Sequence, residues 1–274
     1  MTLKEFIKNH IDIINKKGIK NPLYFLAKII SEINNIPISK IIIDDNYELD
    51  HSTLDKLKKI ILEDYPLEYI TNKVIFYGYE FYVDNNVLIP RIETEDLINI
   101  AKDIIIKNNY KYIIDIGTGS GVIAIVLKKL FPDTIIYSID ISKEALKVAE
   151  KNAKKHNVDI IFIHSNIFEN VPKDVIDKVE FIVSNPPYVE SDFYINSTSL
   201  KYEPKIALEA GIDGQNFFRD LMKYKNILLK KHMLFETTEF NIDKTVEILS
   251  NFGKTIIHND SFGVRRFVEK EGKK

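Results

Sequence analysis

The stretch YKYIIDIGTGSG, residues 110–121, decides the fold. A short apolar run of strand character ends in glycines at 117, 119 and 121, and VIAIVLKKL continues from it with the look of a buried helix. Glycine lets a backbone turn tightly and lets a ligand approach it closely. A helix that opens at such a turn offers free N–H groups and the positive end of its dipole. The next apolar run, TIIYSID, ends in Asp140, 19 residues beyond Gly121, where a carboxylate can accept hydrogen bonds from both hydroxyls of a ribose. A dinucleotide site favours G-x-G-x-x-G, whereas the spacing here is G-x-G-x-G, with Asp115 two residues before the first glycine. An acid at that place is poorly matched to a pyrophosphate. It suits the α-amino group and sulfonium of S-adenosylmethionine. A glycine cluster alone is also compatible with a connection that binds nothing; the strand, the helix and Asp140 together weigh against that.

Outward from this turn the chain alternates. A helical pattern over residues 93–107 precedes it. After the helix at 122–130 come strand 134–140, a helix N-capped by Ser142, strands 159–164 and 179–185, a helix over 217–229, strand 233–238, a helix over 241–251 and strands 254–258 and 265–270. Repeated βα units with nearly continuous apolar strands predict an α/β fold with a doubly wound, mostly parallel sheet. Upstream, residues 74–89 are rich in β-branched and aromatic side chains, punctuated by Gly78 and by Asp84-Asn85-Asn86, and predict a β-hairpin. The first seventy residues predict a small bundle of three amphipathic helices. The first opens with a Thr2/Glu5 capping box, carries Leu3, Phe6, Ile7, Ile11 and Ile14 at helical spacing, and stops at Gly18. The second opens at Pro22 and the third near Ser52. The expected partition is a helical domain at 1–73, a hairpin linker at 74–91 and a ligand-binding domain at 92–274.

Composition narrows the chemistry. The 274 residues contain no cysteine, so disulfides, a thiolate nucleophile and Cys-ligated metal are excluded. Six scattered histidines lack any HExxH-like spacing, and no metal is expected. The N-terminus lacks the apolar core of a signal peptide, and no window reaches the ~20 apolar residues of a membrane span. An intracellular, cytoplasmic protein without membrane association is expected. A formal net charge of −2 argues against an extended nucleic-acid surface. The basic run at 151–155 fits a solvated helix face.

The stretch IVSNPPYVE, residues 182–190, is either a turn that ends a strand or a site of chemistry. Asn-Pro and Pro-Pro are turn punctuation. Its strand, however, is expected beside the strand of the glycine turn, where open α/β sheets place ligands. At this point DIGTGSGVIAI, SIDIS and IVSNPPYV together look like a class I S-adenosylmethionine-dependent methyltransferase of the NPPY type. PLEYI (66–70), FYGYEFYVDNNVLIPRIETEDLI (76–98), YEPKIAL (202–208) and NDSFGVRRFV (259–268) are similar to the HemK/PrmC family, the peptide chain release factor N5-glutamine methyltransferases. The likeness covers nearly the whole chain and is weakest over the first sixty residues. The resemblance implies a seven-stranded Rossmann-like sheet. It implies methyl transfer from S-adenosylmethionine, leaving S-adenosylhomocysteine, to the side-chain amide of the glutamine in the Gly-Gly-Gln loop of class I release factors. Those factors would be the protein substrate of a monomer with no stable nucleic-acid or membrane partner. By position, cofactor contacts fall on Gly117, Thr118, Gly119, Ser120, Gly121, Asp140, Asn166, Phe168 and Asn185, joined by Asp115 from the charge argument above. Substrate contacts fall on Asn185, Pro186, Pro187 and Tyr188, with Asn185, Pro186 and Tyr188 catalytic.

NPPY suits that chemistry. An amide nitrogen is a poor nucleophile because its lone pair is delocalised. The Asn185 side-chain oxygen can accept one N–H of the target and the Pro186 carbonyl the other, which turns the lone pair toward the methyl group. The prolines pre-place both acceptors, and Tyr188 can pack on the amide or close the pocket. Some positions depart from the family pattern: Asn72 stands for a usual Gly and Asn166 for the Asp expected to contact the adenine amino group. KKH replaces the usual Gly-rich turn before the fifth strand, and Thr238 falls where Glu-x-Gly is usual. Arg91 and Glu93 fit either a gate over the pocket or a salt-bridged loop, and Glu203 either a pocket or a helix end. Arg265 and Arg266 fit structural or surface roles. Two other functions remain open on the residues: adenine N6 methylation of DNA or RNA, with Tyr188 stacking on a flipped base, and a non-catalytic docking protein that binds S-adenosylmethionine, in which NPPY should have been lost. An NAD-linked oxidoreductase fails on the glycine spacing.

Overall fold

The computed structural model describes residues 1–197 and 200–272. The chain divides into two compact units, Met1–Asn72 and Lys73–Lys274, and the hairpin falls within the second.

The first unit is helical: Leu3–Asn9, Ile11–Lys16, Pro22–Asn34, Ile38–Ile43, His51–Glu63 and Leu67–Thr71. The three expected helices correspond to the first and second of these taken as one run, the third, and the fifth. The Thr2/Glu5 capping box is formed in both directions, 3.2 Å from the Glu5 N–H to Thr2 Oγ1 and 2.8 Å from the Thr2 N–H to Glu5 Oε2. The first run nevertheless breaks at His10, whose backbone N–H bonds back to the Phe6 and Ile7 carbonyls. Ile38–Ile43 and Leu67–Thr71 escaped notice because a helix of five or six residues holds too few turns for a period to register. Phe6, Ile14, Leu26, Ile30 and Leu57 are fully buried at the centre of the unit. Asn72 closes the last helix in the left-handed conformation, φ 55° and ψ 36°. Asparagine tolerates that region better than other non-glycine residues, so this departure from glycine preserves the cap.

The second unit opens with a two-stranded hairpin, β1 (Val74–Phe76) and β2 (Tyr79–Phe81). Tyr77 and Gly78 between them both have positive φ, 50° and 75°, the geometry of a tight two-residue hairpin turn. Seven further strands follow: β3 (Tyr112–Ile116), β4 (Ile135–Asp140), β5 (Ile161–His164), β6 (Phe181–Ser184), β7 (His232–Glu236), β8 (Thr255–Asn259) and β9 (Arg265–Lys270). They form one sheet in the order β5-β4-β3-β6-β7-β9-β8. The first five are parallel, while β9 runs antiparallel to both β7 and β8. Side-chain alternation fills both faces. Ile113, Phe181 and Val183 pack with the helices Thr94–Asn108 and Val122–Leu130. Ile114, Ile182 and Phe235 pack with the helices Asn216–Leu221 and Ile242–Ser250. The helix expected over 217–229 is interrupted, with a 3₁₀ turn at Met222–Tyr224 before Lys225–Leu228. Short helices Lys173–Lys178 and Ser191–Asn196 were also not foreseen.

The chain winds from β3 outward to β5, then returns to place β6 on the other side of β3. This is the topological switch point at which open α/β sheets bind ligands. Buried Asn152 fixes that edge: its Oδ1 accepts the Tyr82 N–H (2.8 Å), and its Nδ2 donates to the carbonyls of Tyr82 (2.9 Å) and Ser120 (2.8 Å). Gly121 fixes the approach of two helices. It has φ +84°, and a Cβ there would lie 3.1 Å from Ala149 Cβ and 3.2 Å from Ala149 Cα. Gly121→Ala is expected to cost about 1–3 kcal/mol. A lower melting temperature than Gly78→Ala, where φ is also positive but nothing lies within 4 Å, would register it; equal melting points would refute the packing role.

Candidate active site

A cavity of about 220 Å³ opens at the carboxyl ends of β3, β4 and β6, with Gly117, Gly119, Asp140, Asn166, Asn185 and Pro187 in its wall. The N–H groups of Gly117 and Thr118 both donate to the Ile139 carbonyl, at 2.8 and 3.0 Å, which folds the turn across the end of β4. Gly117 and Gly119 hold positive φ, and a Cβ on either would meet no atom within 4 Å, so the turn is a bare cradle open to a ligand. Asp140 accepts the Gly119 N–H through Oδ2 and the Ser142 N–H through Oδ1, both at 2.9 Å. Each oxygen keeps acceptor capacity. Burial raises the Asp140 pKa against the opposing pull of these N–H groups. Asn166 donates its Nδ2 to Glu169 Oε1 at 3.1 Å, which leaves its Oδ1 as acceptor in the place of the expected Asp.

Other expected cofactor residues lie behind this wall rather than in it. Thr118 and Ser120 are buried within the turn, and Phe168 is buried in the core, edge-on to Tyr224 at 5.3 Å. Gly121 packs between helices, as described above. Asp115 is fully buried; Thr118 donates to its Oδ2 at 2.6 Å and its Oδ1 has no hydrogen-bond partner. Burial, opposed by the Thr118 bond and reinforced by Asp140, lifts its pKa to about 7. A carboxyl whose pKa is raised on folding favours the folded state most at low pH, and that advantage is lost as pH rises through the folded value. Asp115→Asn is therefore expected to raise the melting temperature of the ligand-free protein more at pH 8 than at pH 5. An equal change at both values would contradict the shift.

The NPPY loop forms the wall of a second cavity, about 200 Å³, together with Arg91, Phe193 and Leu200. The two cavities share Leu88, Asn185 and Ala207. Of the four loop residues, Asn185 alone borders both; Pro187 borders the first, Pro186 and Tyr188 the second. The loop is held from below. Ser184 donates to the Ile116 carbonyl at 2.6 Å, Asn185 Nδ2 donates to Thr94 Oγ1 at 3.1 Å, and the Tyr188 hydroxyl donates to Glu236 Oε1 at 3.1 Å. Gly214 passes so close that a Cβ would lie 2.4 Å from the Tyr188 carbonyl oxygen. Desolvation and Glu236 raise the Tyr188 pKa well above its ordinary value, so its hydroxyl stays protonated.

Arg91 forms an ion pair with buried Glu203, whose other oxygen accepts the Ile89 N–H at 3.0 Å. The pair laces the IPR loop to the YEP loop, and Arg91 also borders the second cavity. Glu93 borders neither cavity. Arg266 bonds largely buried Asp260 at 2.8 Å, whereas Arg265 bonds Asp243 at 2.6 Å on the exposed surface. Sequence reasoning passed over Thr94 and Glu236. A signal existed, since Glu236 ends the strand beside the NPPY strand, on the same edge of the sheet. Among the described residues no cluster of His, Asp and Glu could hold a metal, and no helix is long and apolar enough to cross a membrane.

The family model described as "Methyltransferase small domain" matches residues 97–200. A release factor glutamine methyltransferase of Dictyoglomus turgidum is 42% identical over 226 residues, covering 77% of this chain and 78% of the relative. One of Flavobacterium psychrophilum is 33% identical over 282 residues, covering 97% and 96%. Among solved structures, a T. thermophilus 16S rRNA N2 G1207 methyltransferase in complex with AdoMet and guanosine superposes with a TM-score of 0.53 at 14% identity, over 73% of this chain and 50% of that one. At that identity the likeness speaks to the fold alone.

Proposed function

The chain belongs to the family of release factor glutamine methyltransferases, and from that premise we propose that it methylates the side-chain amide nitrogen of the glutamine in the Gly-Gly-Gln loop of class I peptide chain release factors, with S-adenosylmethionine as methyl donor. The observation that carries this reading is the place of Asn185, the one NPPY residue at the junction of two adjoining cavities. The first cavity takes the cofactor. Its bare glycine turn admits a ligand close against the backbone, Asp140 accepts from the ribose hydroxyls, and Asn166 Oδ1 accepts from the adenine amino group. Asp115, behind the turn with one oxygen unpaired, supplies negative potential toward the α-amino group. When bound, the cofactor supplies a methyl group on a positively charged sulfur.

The second cavity takes the glutamine side chain. Asn185 Oδ1 and the Pro186 carbonyl accept the two amide N–H bonds, so the nitrogen lone pair faces the shared wall. Proximity and orientation of this kind supply up to about 7–11 kcal/mol in favourable cases. Tyr188, its hydroxyl anchored on Glu236, presents its ring as a fixed side of the pocket. The methylated nitrogen is acidic and releases its proton without a strong base. Phe193, 65% exposed at the rim, offers apolar surface to the incoming loop. The helical unit docks the rest of the release factor, and the enzyme acts as a cytoplasmic monomer. Incubation with methyl-labelled S-adenosylmethionine and either purified release factor or nucleic acid tests the assignment. Label is expected in the protein; label confined to nucleic acid would replace it with adenine methylation.

A further inference from the structure

A glutamine side chain presents two N–H donors and one acceptor oxygen. Asn185 and Pro186, as read above, take the two N–H groups. The carbonyl oxygen still needs a donor, in a cavity whose wall includes apolar Leu88, Val189, Phe193 and Leu208. A carbonyl taken out of water with no partner is costly. Two polar side chains of that wall already donate elsewhere: Asn185 Nδ2 to Thr94 Oγ1 and the Tyr188 hydroxyl to Glu236 Oε1, each at 3.1 Å. The third is Arg91, the only charged residue of the wall among the described residues. A guanidinium carries five N–H donors, and Glu203 engages Arg91 through Nη2. Donors therefore remain for a molecule in the cavity.

Glu203 holds that guanidinium in place. Its side chain is 4% exposed, against 35% for Arg91. Its second oxygen accepts the Ile89 N–H at 3.0 Å, two residues before Arg91. One buried carboxylate thus grips both the backbone and the side chain of the IPR loop, and a planar, charge-assisted donor is fixed beside the cavity. We propose that Arg91, held by Glu203, donates to the side-chain carbonyl oxygen of the substrate glutamine, as a specificity-determining residue of the pocket with Glu203 as its positioning residue. The proposal rests on the reading of the second cavity as the glutamine pocket. Acceptors on one side and a donor on the other match an amide. A glutamate carboxylate would set an oxygen against the oxygens of Asn185 and Pro186. A donor on the carbonyl draws electron density from the amide nitrogen, so this contact favours binding rather than the methyl transfer itself. Its loss is expected in KM, with kcat retained.

Isothermal titration of a class I release factor into enzyme loaded with S-adenosylhomocysteine tests this. Two factors are compared, the native one and one whose Gly-Gly-Gln glutamine is replaced by alanine. Arg91→Met is expected to weaken binding of the native factor about tenfold or more. Binding of the alanine factor is expected to stay within about twofold, the Kd of S-adenosylmethionine to hold, and turnover to show a raised KM with kcat retained. Glu203→Gln is expected to give a smaller loss of the same kind, confined to the native factor. Equal weakening for both factors would overturn the proposal, because a structural role, or a contact to the main chain of the loop, does not depend on the glutamine. No weakening for either factor would overturn it as well. Arg91→Met leaves Glu203 buried without its cation, so the comparison is repeated with Arg91→Met/Glu203→Gln, in which the introduced amide can still accept the Ile89 N–H. Should Arg91→Met fail to fold, that double variant decides. If the wild-type enzyme binds the two factors equally well, the reading of the cavity as a glutamine pocket fails. If it prefers the native factor and Arg91→Met leaves that preference intact, the proposal alone fails.

Discussion

Asn185→Ala is expected to lower kcat for release factor methylation about 10²–10³-fold or more, while the Kd of S-adenosylmethionine changes only a few-fold. The size follows from what is lost. A preorganised polar contact at a reacting centre is worth roughly 10²–10³ in rate, and this one also orients a weak nucleophile. Asn185 is one of many residues in the wall of the first cavity, and Gly117, Gly119 and Asp140 remain in place there. The variant should fold, because the loop keeps the Ser184 bond to the Ile116 carbonyl and the Tyr188 bond to Glu236 when the Asn185 amide is gone. Single-turnover assays with isothermal titration of the cofactor separate the two effects. A large loss of cofactor affinity with kcat preserved at saturation would show that Asn185 is a cofactor ligand and not the amide acceptor.

Asp140→Ala is expected to do the reverse, weakening S-adenosylmethionine binding about 10²-fold or more with a smaller effect on kcat at saturating cofactor. Hydrogen bonds to a charged group are each worth about 1.5–3 kcal/mol, and the ribose offers two. The same carboxylate also holds the Gly119 and Ser142 N–H groups at 2.9 Å. Its removal therefore loosens the glycine turn as well as deleting the ribose contact. Asp140→Asn keeps an acceptor and should fall between the two. An Asp140→Ala enzyme that binds cofactor within about two-fold of wild type would remove Asp140 from the site.

Much of this arrangement was legible in the sequence, for identifiable reasons. Residues 110–121 combine a β-branched run, positive-φ glycines and a helix start, and few other structures satisfy all three demands. Asp140 and Asn185 could be placed because each ends an apolar strand, and the ends of parallel strands share one edge of the sheet. What escaped was set by tertiary contact. Thr94 lies in a loop-to-helix passage, and nothing local marks its hydroxyl as a partner for an amide 91 residues away. Glu236 reads as part of a strand ending, since an acid at a strand end is commonplace; only burial against Tyr188 gives it meaning. Asp115 was expected to meet the ligand, yet its side chain is fully buried behind the turn. Strand alternation fixes which face a residue takes but not how deep it lies. The 3₁₀ interruption at Met222–Tyr224 and the short helices were missed because their length gives no period to detect.

The central claim is that the NPPY loop holds a glutamine amide in line with the methyl donor. Mass spectrometry of a class I release factor after incubation with the enzyme and S-adenosylmethionine tests it most directly. One added methyl group is expected, on the side chain of the Gly-Gly-Gln glutamine, and far less of it in the same time with the Asn185→Ala enzyme. Methylation at another residue, or an unmodified glutamine beside an enzyme that binds its cofactor normally, would contradict it.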